Sequence, residues 1–551
     1  MKKIFLLSFL SFYTLLGYSQ DESQNDQYFE ISKNLTLFSE VYKNINLNFV
    51  DETNPGELMK VGIDAMLKSL DPYTNYIPES NIEDYRMMQS GQYGGIGSLI
   101  QKRDKYIMIT NPYENFPAQK AGLRAGDEIL KIDGKSVVDK PADEVSELLK
   151  GAKNTEVILT VKRPNEDNPI EIKITRELIK IPTVPYYNML NDKVGYIKLT
   201  QFLGTSSSEV AAAFKALKDS NNLEGLVLDL RGNPGGLLNE SVNIVNLFVP
   251  QGTKVVETKG RDKKNNYTYF AKNKPMDTKI PLVILIDKNS ASASEIVSGA
   301  LQDLDRAVVI GNQSFGKGLV QNQINMEYNS MIKITIAKYY TPSGRCIQRL
   351  DYSNRNTSGK GNSISDSSVH TFTTKNGRPV TDGRGVSPDI EVERKQLTPI
   401  SFALLRENII FDFATDYFYN NPTIASAEKF QLSESDYAKF VEYASKKDFE
   451  YTTGSEKVLE RLKEVAEKEQ YYESSKSEFD ALVEKLSPNK KRDLAKFKEE
   501  IKLLLENEIV TRYYFQTGQM AHDLKHDEYA LEAIEIIENS NKYSSVLAPK
   551  K

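Results

Sequence analysis

Residues Pro281 to Ile296 read PLVILIDKNSASASEI, and this stretch gives the clearest indication of the fold class. Its first part, PLVILI, is an apolar run of the length of a buried β-strand. Asp287 to Asn289 interrupts the run, and small residues then lead into a helical pattern that begins at Ile296. Strands that alternate with helices in this way form α/β sheets, so the stretch predicts an α/β core.

The turn between this strand and this helix carries Ser292. Free main-chain N–H groups and the helix dipole favour negative charge at the start of a helix. That position suits a nucleophile whose reaction product is an oxyanion. Ser292 and Glu295 also fit a capping box, in which the serine only terminates the helix. The serine motif alone does not separate these two interpretations.

A serine nucleophile needs a base, and the sequence offers a lysine for that role. The three histidines all lie far from the serine motif in sequence: His370, His522 and His526. Lysine is the other known partner of serine, and it acts as a base when its pKa is lowered to roughly 7–8. A second strand, Ala307 to Gly311, leads into a loop that places Lys317 between two glycines, which let the backbone approach closely.

The two linked motifs, SASASEI and FGKGLVQ, resemble those of the C-terminal processing peptidases, a family of serine–lysine proteases. The resemblance implies that Ser292 is the nucleophile and that Lys317, twenty-five positions later, is the general base. It also implies that Gln321 orients the lysine. The order and the spacing of the motifs match without a gap.

A glycine-rich turn follows another buried strand of the predicted core. Leu226 to Leu230 is the strand, and the sequence RGNPGG follows it. Such a turn exposes main chain at the strand end, where α/β sites form. The resemblance implies an oxyanion hole made by the N–H groups of Ala293 and Gly236, or of Gly235 in place of Gly236. A tight turn without a catalytic role is the alternative interpretation.

Residues 89–165 resemble a PDZ domain. One run resembles its carboxylate-binding loop: Tyr93, Gly94, Gly95, Ile96 and Gly97. The sequence GLRAGDEILKIDG at residues 122–134 fits its central turn and strand, and a helix and a closing strand are expected at 145–149 and 157–161. The resemblance implies capture of protein or peptide substrates with a free C-terminus, which add a strand to the sheet. Ile96 and Leu99 favour an apolar terminal residue.

Residues 1–20 have the pattern of a secretory signal peptide, with two lysines before an apolar core at residues 4–16. Cleavage is expected after Ser19 or Gln20, and an uncleaved anchor is the alternative. The pattern predicts an exported, periplasmic protein, with association to the membrane as a second option. Cys346 is the only cysteine, which excludes an internal disulfide.

Helical regions are predicted on both sides of these modules, at residues 21–88 and 396–551. In the first, Phe38, Tyr42, Ile45 and Phe49 form an apolar stripe. The stripe suits a core or a subunit contact, and the resemblance favours the contact and hence a homodimer. The C-terminal region shows no residues with catalytic chemistry, so dimerisation, shaping of the way into the site and binding of an adaptor protein all remain open.

These features predict a multidomain α+β protein. The fold is expected to combine an α/β protease core at residues 166–395, resembling the ClpP and crotonase folds, with an inserted PDZ domain. A formal charge of −5 without a basic block excludes a nucleic-acid partner. No spacing of metal ligands and no phosphate-binding loop is present, so no metal and no cofactor are expected.

The predicted function is that of an exported serine endopeptidase that cuts near substrate C-termini. A PDZ-containing chaperone or scaffold with an inactive core is the main alternative. A crotonase-like hydratase is a third interpretation of the glycine-rich strand ends. Such an enzyme would act on a coenzyme A substrate, and the PDZ resemblance and the export signal argue against that.

Overall fold

The computed structural model describes residues 4–220, 222–355, 361–393 and 395–549. These residues form two compact units. The smaller unit draws on Met1–Ile82, Gln321–Thr335 and Tyr352–Gly361, and the larger on Glu83–Val320, Ile336–Asp351 and Asn362–Lys551.

Helices and strands are numbered in chain order. The helices are α1 (Ile4–Asn48), α2 (Pro55–Lys68), α3 (Glu79–Ser90), α4 (Pro117–Lys120), α5 (Ala142–Leu149), α6 (Ser206–Ser220), α7 (Leu238–Asn246), α8 (Ala293–Asp303), α9 (Pro399–Arg406), α10 (Ile409–Asn420), α11 (Glu434–Ser445), α12 (Gly454–Lys468), α13 (Lys476–Leu486), α14 (Lys490–Lys496), α15 (Lys498–Asp523), α16 (Glu528–Glu538) and α17 (Ser540–Leu547).

The strands are β1 (Asn75–Ile77), β2 (Gln92–Gly95), β3 (Ser98–Arg103), β4 (Tyr106–Pro112), β5 (Glu128–Ile132), β6 (Lys135–Ser136), β7 (Glu156–Lys162), β8 (Ile170–Thr175), β9 (Glu177–Lys180), β10 (Tyr186–Met189), β11 (Val194–Lys198), β12 (Gly225–Asp229), β13 (Lys254–Gly260), β14 (Tyr267–Phe270), β15 (Leu282–Ile286), β16 (Val308–Gly311), β17 (Leu319–Met326), β18 (Ser330–Tyr340), β19 (Leu350–Arg355), β20 (Gly361–Ser363), β21 (Thr371–Thr373), β22 (Pro379–Thr381) and β23 (Ile390–Glu391).

The smaller unit is built on α1 and α2. Asn54 caps α2, since its side-chain oxygen accepts from the N–H groups of Gly56 and Glu57 at 3.1 and 3.2 Å. The predicted stripe lies on α1, where the rings of Phe38 and Tyr42 stack with centroids 6.5 Å apart. Phe38 still leaves 49% of its surface exposed. Within this unit the stripe is therefore only partly covered.

Residues 1–3 of the predicted signal peptide lie outside the described residues. No helix in the described part of the chain is both long and apolar enough to cross a membrane.

The PDZ-like domain is a sheet of β3, β4, β5, β7 and β8 in that order, with β6 on β5. Buried apolar side chains from its strands, such as Ile107, Ile129 and Leu159, form its own core. The helix and the closing strand predicted for this domain are confirmed as α5 and β7. β3 is an edge strand and α5 packs beside it. This is the arrangement that strand addition by a peptide requires.

This sheet continues past residue 165, the predicted end of the domain. β8 pairs antiparallel with β7 along its length, and β9 pairs with β2. The connection from β7 to β8 contains Asn165 with a φ of 65°, which marks a hairpin turn. In sequence, a polar turn of this kind is hard to distinguish from an interdomain linker.

The core of the larger unit is a sheet in the order β10-β11-β12-β15-β16-β23. All pairs are parallel except that of β10 with β11. Alternate residues of β12 face opposite sides: Leu226 and Leu228 pack against α6, α7 and α8, whereas Val227 packs against α16. The predicted α/β core is thus confirmed, and the predicted nucleophile Ser292 lies beyond the C-terminal end of β15, one of its parallel strands.

Helices α9, α10, α11, α14 and α15 surround a separate apolar core in the C-terminal region, and α12 and α13 pack on each other around a smaller one. Leu494 and Ile501 are fully buried in the larger core. α10 ends at Asn420 and α13 at Leu486, just before two Pro-containing segments. α16 then leaves this cluster and packs on the core sheet.

Candidate active site

Ser292 is the N-cap of α8 and has φ 56° and ψ −110°. A positive φ is uncommon for a residue with a side chain, and such strain persists only where the surroundings hold it. α8 begins at Ala293, earlier than the helical pattern that starts at Ile296, because the intervening small residues carry no apolar signal. The predicted nucleophile therefore stands in a strained turn between β15 and α8.

Glu295, in the first turn of α8, connects the serine to the lysine loop. Its Oε2 accepts the main-chain N–H of Ser292 at 2.8 Å and that of Lys317 at 2.9 Å. Its Oε1 accepts the N–H of Gly316 at 2.7 Å and the hydroxyl of Ser314 at 2.5 Å. The side chain is fully buried, and burial raises the pKa of its carboxyl, although these four bonds oppose the shift. One carboxyl group thus fixes both motifs of the predicted dyad.

Three further contacts join the same segments. The hydroxyl of the buried Tyr339 of β18 lies between two acceptors that share its one proton, the carbonyl oxygen of Ser292 at 3.0 Å and that of Lys317. The N–H of Phe315 donates to the carbonyl oxygen of Ser290 at 3.0 Å. The main chains at Ser292 and Lys317 are therefore held from both their N–H and their C=O sides.

The glycine-rich turn after β12 packs directly against the nucleophile motif. The carbonyl oxygen of Asn233 accepts the N–H of Ala291 at 3.1 Å and the hydroxyl of Ser294 at 2.9 Å. A Cβ on Gly235 would lie 2.9 Å from Cβ of Ser292. Such a close approach requires glycine, whose φ here is 100°.

The two candidate glycines differ in what their N–H groups do. The N–H of Gly235 donates to Oδ1 of Asn233 at 2.9 Å. In the described part of the chain, the N–H groups of Gly236 and Ala293 have no protein acceptor. This difference favours Gly236 over Gly235 as the glycine donor to an oxyanion, and the assignment stays a prediction.

Gln321, at the start of β17, belongs to the smaller unit. There its side-chain amide donates to Oγ1 of Thr335 at 3.3 Å. Thr335 in turn accepts from Thr74 at 3.4 Å, and Thr74 is anchored by Asp71. This chain of bonds fixes Gln321 within its own unit, and its role toward Lys317 remains a prediction.

The histidines are engaged away from the serine motif. His522 bonds Asn507 at 2.8 Å and the carbonyl oxygen of Phe430 at 3.3 Å, and burial lowers its pKa. His370 lies 3.4 Å from Asp382 on an exposed loop. The ring of His526 lies against that of His522. These contacts agree with a lysine as the partner of the serine.

Comparison with known proteins matches three segments of the chain. The profile of peptidase family S41 matches residues 193–353, which include Ser292 and Lys317. The PDZ domain profile matches residues 108–163. The profile described as "Probable PDZ-protease, C-terminal helical domain" matches residues 400–537.

The carboxy-terminal-processing protease of Bartonella bacilliformis is 38% identical over 321 residues, which cover 58% of this chain and 73% of that protein. This chain belongs to the S41 family of carboxy-terminal processing serine proteases. Another relative of the protease is a "Probable CtpA-like serine protease" of Staphylococcus haemolyticus, 39% identical over 335 residues, or 60% of this chain and 64% of that one. The solved photosystem II D1 C-terminal processing protease has 27% identity and a TM-score of 0.35, and the match covers 65% of this chain and 92% of that one.

Sequence reasoning did not single out several residues that hold the candidate site of the protease together. Glu295 was recognised only as a helix cap, although its place within the serine motif was a usable signal. Asn233 lies inside the glycine-rich turn and could have been suspected for the same reason. Tyr339 has no local signal, because it reaches the site from β18.

The predicted carboxylate-binding loop lies at the start of the PDZ-like domain. Tyr93 to Gly95 belong to β2, and Ile96 and Gly97 lead into β3. A Cβ on Gly94 would lie 2.0 Å from the carbonyl oxygen of Gly151, so only glycine fits there. Ile96 is buried in the domain core, whereas Leu99 is exposed. Of the two apolar residues expected beside the peptide, only Leu99 is thus open to solvent.

Proposed function

We propose that the protease hydrolyses peptide bonds near substrate C-termini with a Ser292–Lys317 dyad. Oγ of Ser292 attacks the scissile carbonyl carbon while a neutral Lys317 accepts the hydroxyl proton. The N–H groups of Gly236 and Ala293 stabilise the oxyanion. Lys317 returns the proton to the leaving amine, and the acyl-enzyme then forms. Water attacks the ester, again with Lys317 as the base, and releases the new carboxylate.

One observation supports this proposal above the others: Ser292 and Lys317 donate their main-chain N–H groups to the same oxygen of Glu295. A serine that only capped α8 would need no bond between its motif and the lysine loop. The strained φ of Ser292 also supports a catalytic role over a simple helix cap, because such strain is typical of functional sites.

The direct test is to incubate the purified protein and two variants, Ser292→Ala and Lys317→Ala, with unfolded polypeptides. New C-termini are identified by mass spectrometry. We expect cleavage by the wild type and by neither variant. Cleavage by Lys317→Ala would exclude the lysine as the base. A wild type that binds but never cleaves would favour the chaperone or scaffold instead.

We further propose that the PDZ domain captures the free C-terminus of the substrate before cleavage. The open edge of β3 beside α5 supports strand addition by a peptide. The test compares one peptide with a free and with an amidated C-terminus. We expect a higher KM for the amidated form, and equal rates for both forms would remove the PDZ domain from the mechanism.

Two broader proposals concern export and assembly. The signal-like pattern of residues 1–20 supports export to the periplasm, which cell fractionation and the mass of the mature N-terminus test. The exposed apolar side chains of α1, among them Phe38 and Ile45, support a homodimer through this helix. Light scattering should show a monomer for Ile45→Glu, whereas Val458→Glu, at an exposed apolar position of α12, should leave the mass unchanged.

A further inference from the structure

The first turn of α16 contacts two different loops of the catalytic core. One contact is made by Asp527, the N-cap of α16, and the other by Tyr529. We propose that these two residues position the oxyanion turn, which is the glycine-rich turn at residues 231–236, and the lysine loop at residues 312–318. The C-terminal helical domain would thereby set the geometry of the active site. This inference rests on the proposed function for its kinetic consequences only.

The contact to the oxyanion turn is a paired ion contact. The guanidinium of Arg231 donates to both carboxylate oxygens of Asp527, at 3.0 and 2.6 Å. The same guanidinium lies 4.7 Å from the centroid of the Tyr529 ring. Only 17% of the Arg231 side chain and 12% of that of Asp527 are exposed. A two-point contact with a stacked guanidinium fixes orientation as well as distance.

Arg231 passes this constraint to the turn because its main chain leads directly into it. Its N–H donates to Asp229 at 2.8 Å, and its carbonyl oxygen accepts from Lys198 at 2.7 Å. The next residues are Gly232 and Asn233, and Asn233 is bonded to the nucleophile motif. A shift of Arg231 would therefore move the turn that carries Gly236.

The contact to the lysine loop is a neutral hydrogen bond. The hydroxyl of Tyr529 donates to Oδ1 of Asn312 at 2.7 Å. Asn312 directly follows β16, and its Nδ2 donates to the carbonyl oxygen of Val392 at 2.9 Å. The chain continues from Asn312 to Ser314 and Lys317, both of which are tied to Glu295. Tyr529 thus holds the base of the loop whose tip carries the lysine.

α16 is suited to this role because the rest of the helix is firmly placed. Ala533 and Ile536 are fully buried against the core sheet, and Ala530 is also fully buried. The side chain of Asp527 also accepts the N–H groups of Tyr529 and Ala530 at 2.9 and 3.2 Å. The helix start is therefore a fixed point relative to the strands β12 and β15.

The experiment uses the full chain with Asp527→Asn and Tyr529→Phe. Asparagine keeps the helix cap and removes the charge, and phenylalanine keeps the ring under Arg231 and removes the hydroxyl. We expect kcat to fall about 10- to 100-fold in each, because small misplacements have effects of that size. KM should stay unchanged, since neither substitution lies in the PDZ domain that is proposed to bind the substrate C-terminus. Amide hydrogen exchange should rise at residues 231–237 in the first variant and at 312–318 in the second.

The matched control is Glu535→Gln in the same helix, which removes a surface ion pair with Lys542. It should leave kcat and both exchange rates at wild-type values. The inference is overturned if Asp527→Asn and Tyr529→Phe also leave them unchanged, or if they lower only thermal stability. If even the wild type cleaves nothing, the proposed function fails. Exchange that still rises at the expected loop would then uphold the positioning role.

Discussion

The main-chain N–H groups of Ser292 and Lys317 meet at one carboxylate oxygen of Glu295, at 2.8 and 2.9 Å. Two residues far apart in sequence thus share an acceptor that water cannot reach. The buried carboxyl of Glu295 therefore sets the distance between the two main chains together with the hydroxyl of Tyr339. Loss of this acceptor should therefore affect catalysis and stability together.

Glu295→Gln tests this relationship. The amide nitrogen of glutamine cannot accept, so at least one buried donor loses its partner, at about 1–3 kcal/mol of unfolding free energy. We expect a fall in kcat of at least about 10-fold, because the main chains at Ser292 and Lys317 lose the acceptor that they share. Denaturant unfolding and steady-state kinetics measure the two effects.

The control for that variant is Glu456→Gln. Glu456 forms the equivalent half of the capping box of α12, where its carboxylate accepts the N–H of Thr453 at 3.4 Å. Glutamine serves in a capping box, so both activity and stability should be retained. Wild-type kcat in Glu295→Gln would show that the shared carboxylate does not fix the dyad.

Tyr339→Phe removes the hydroxyl that joins the carbonyl oxygens of Ser292 and Lys317. The ring remains, so the loss of stability should be about 0.5–1.5 kcal/mol. Activity should fall with KM unchanged. Tyr437→Phe is the matched control, because the hydroxyl of Tyr437 donates to the carbonyl oxygen of Leu494 in the helical domain. Equal kcat values for the two variants would contradict the expectation.

Gly235→Ala should strongly lower activity. The new methyl group would lie 2.7 Å from the carbonyl oxygen of Ala291 and 2.9 Å from Cβ of Ser292, so the nucleophile must move. The loss in kcat should reach about 100-fold. Gly232→Ala shares the strain of a positive φ, 72°, but meets nothing within 4 Å. It should retain most activity, and a comparable loss in both would mean that backbone strain is the cause.

Asp229→Asn should reveal an acid-dependent contribution to stability. Burial opposes ionisation of Asp229, but Arg231 and Lys198 outweigh it and hold the pKa of its carboxyl well below its ordinary value. A depressed folded pKa stabilises the fold above the unfolded value, near 3.9, and this contribution is lost as pH falls through the folded pKa.

The variant should therefore be less stable than the wild type by about 3–5 kcal/mol at pH 7, the usual effect of breaking a buried ion pair. The difference should shrink as pH falls below about 4. Thermal unfolding of both proteins between pH 3 and 7 measures it. A difference that stays constant over this range would show that the pKa of Asp229 is not lowered by folding.

The sequence predicted those features that depend on local pattern. The apolar run before the serine motif became β15, and the residues between the predicted strand and helix became the turn at Ser292. The helix and the closing strand predicted for the PDZ domain are present as α5 and β7. Each of these depends on neighbours within about one helix or strand length.

The remaining features depend on contacts between distant segments. The carboxyl of Glu295 reaches a loop some twenty residues later, and Tyr339 reaches both loops from another strand. The choice between Gly235 and Gly236 depends on which N–H group Asn233 accepts. The contact of Asp527 with Arg231 joins residues almost 300 positions apart. No periodicity or motif encodes such pairs.

The bonds that Glu295 makes to Ser292 and Lys317 end on main-chain atoms, and so do those of Tyr339. Replacing the reactive hydroxyl or amine therefore leaves this framework standing. An inert Ser292→Ala protein should keep the shape of the working enzyme and hold its natural client proteins without releasing fragments. It can thus serve as bait to isolate those clients from cells.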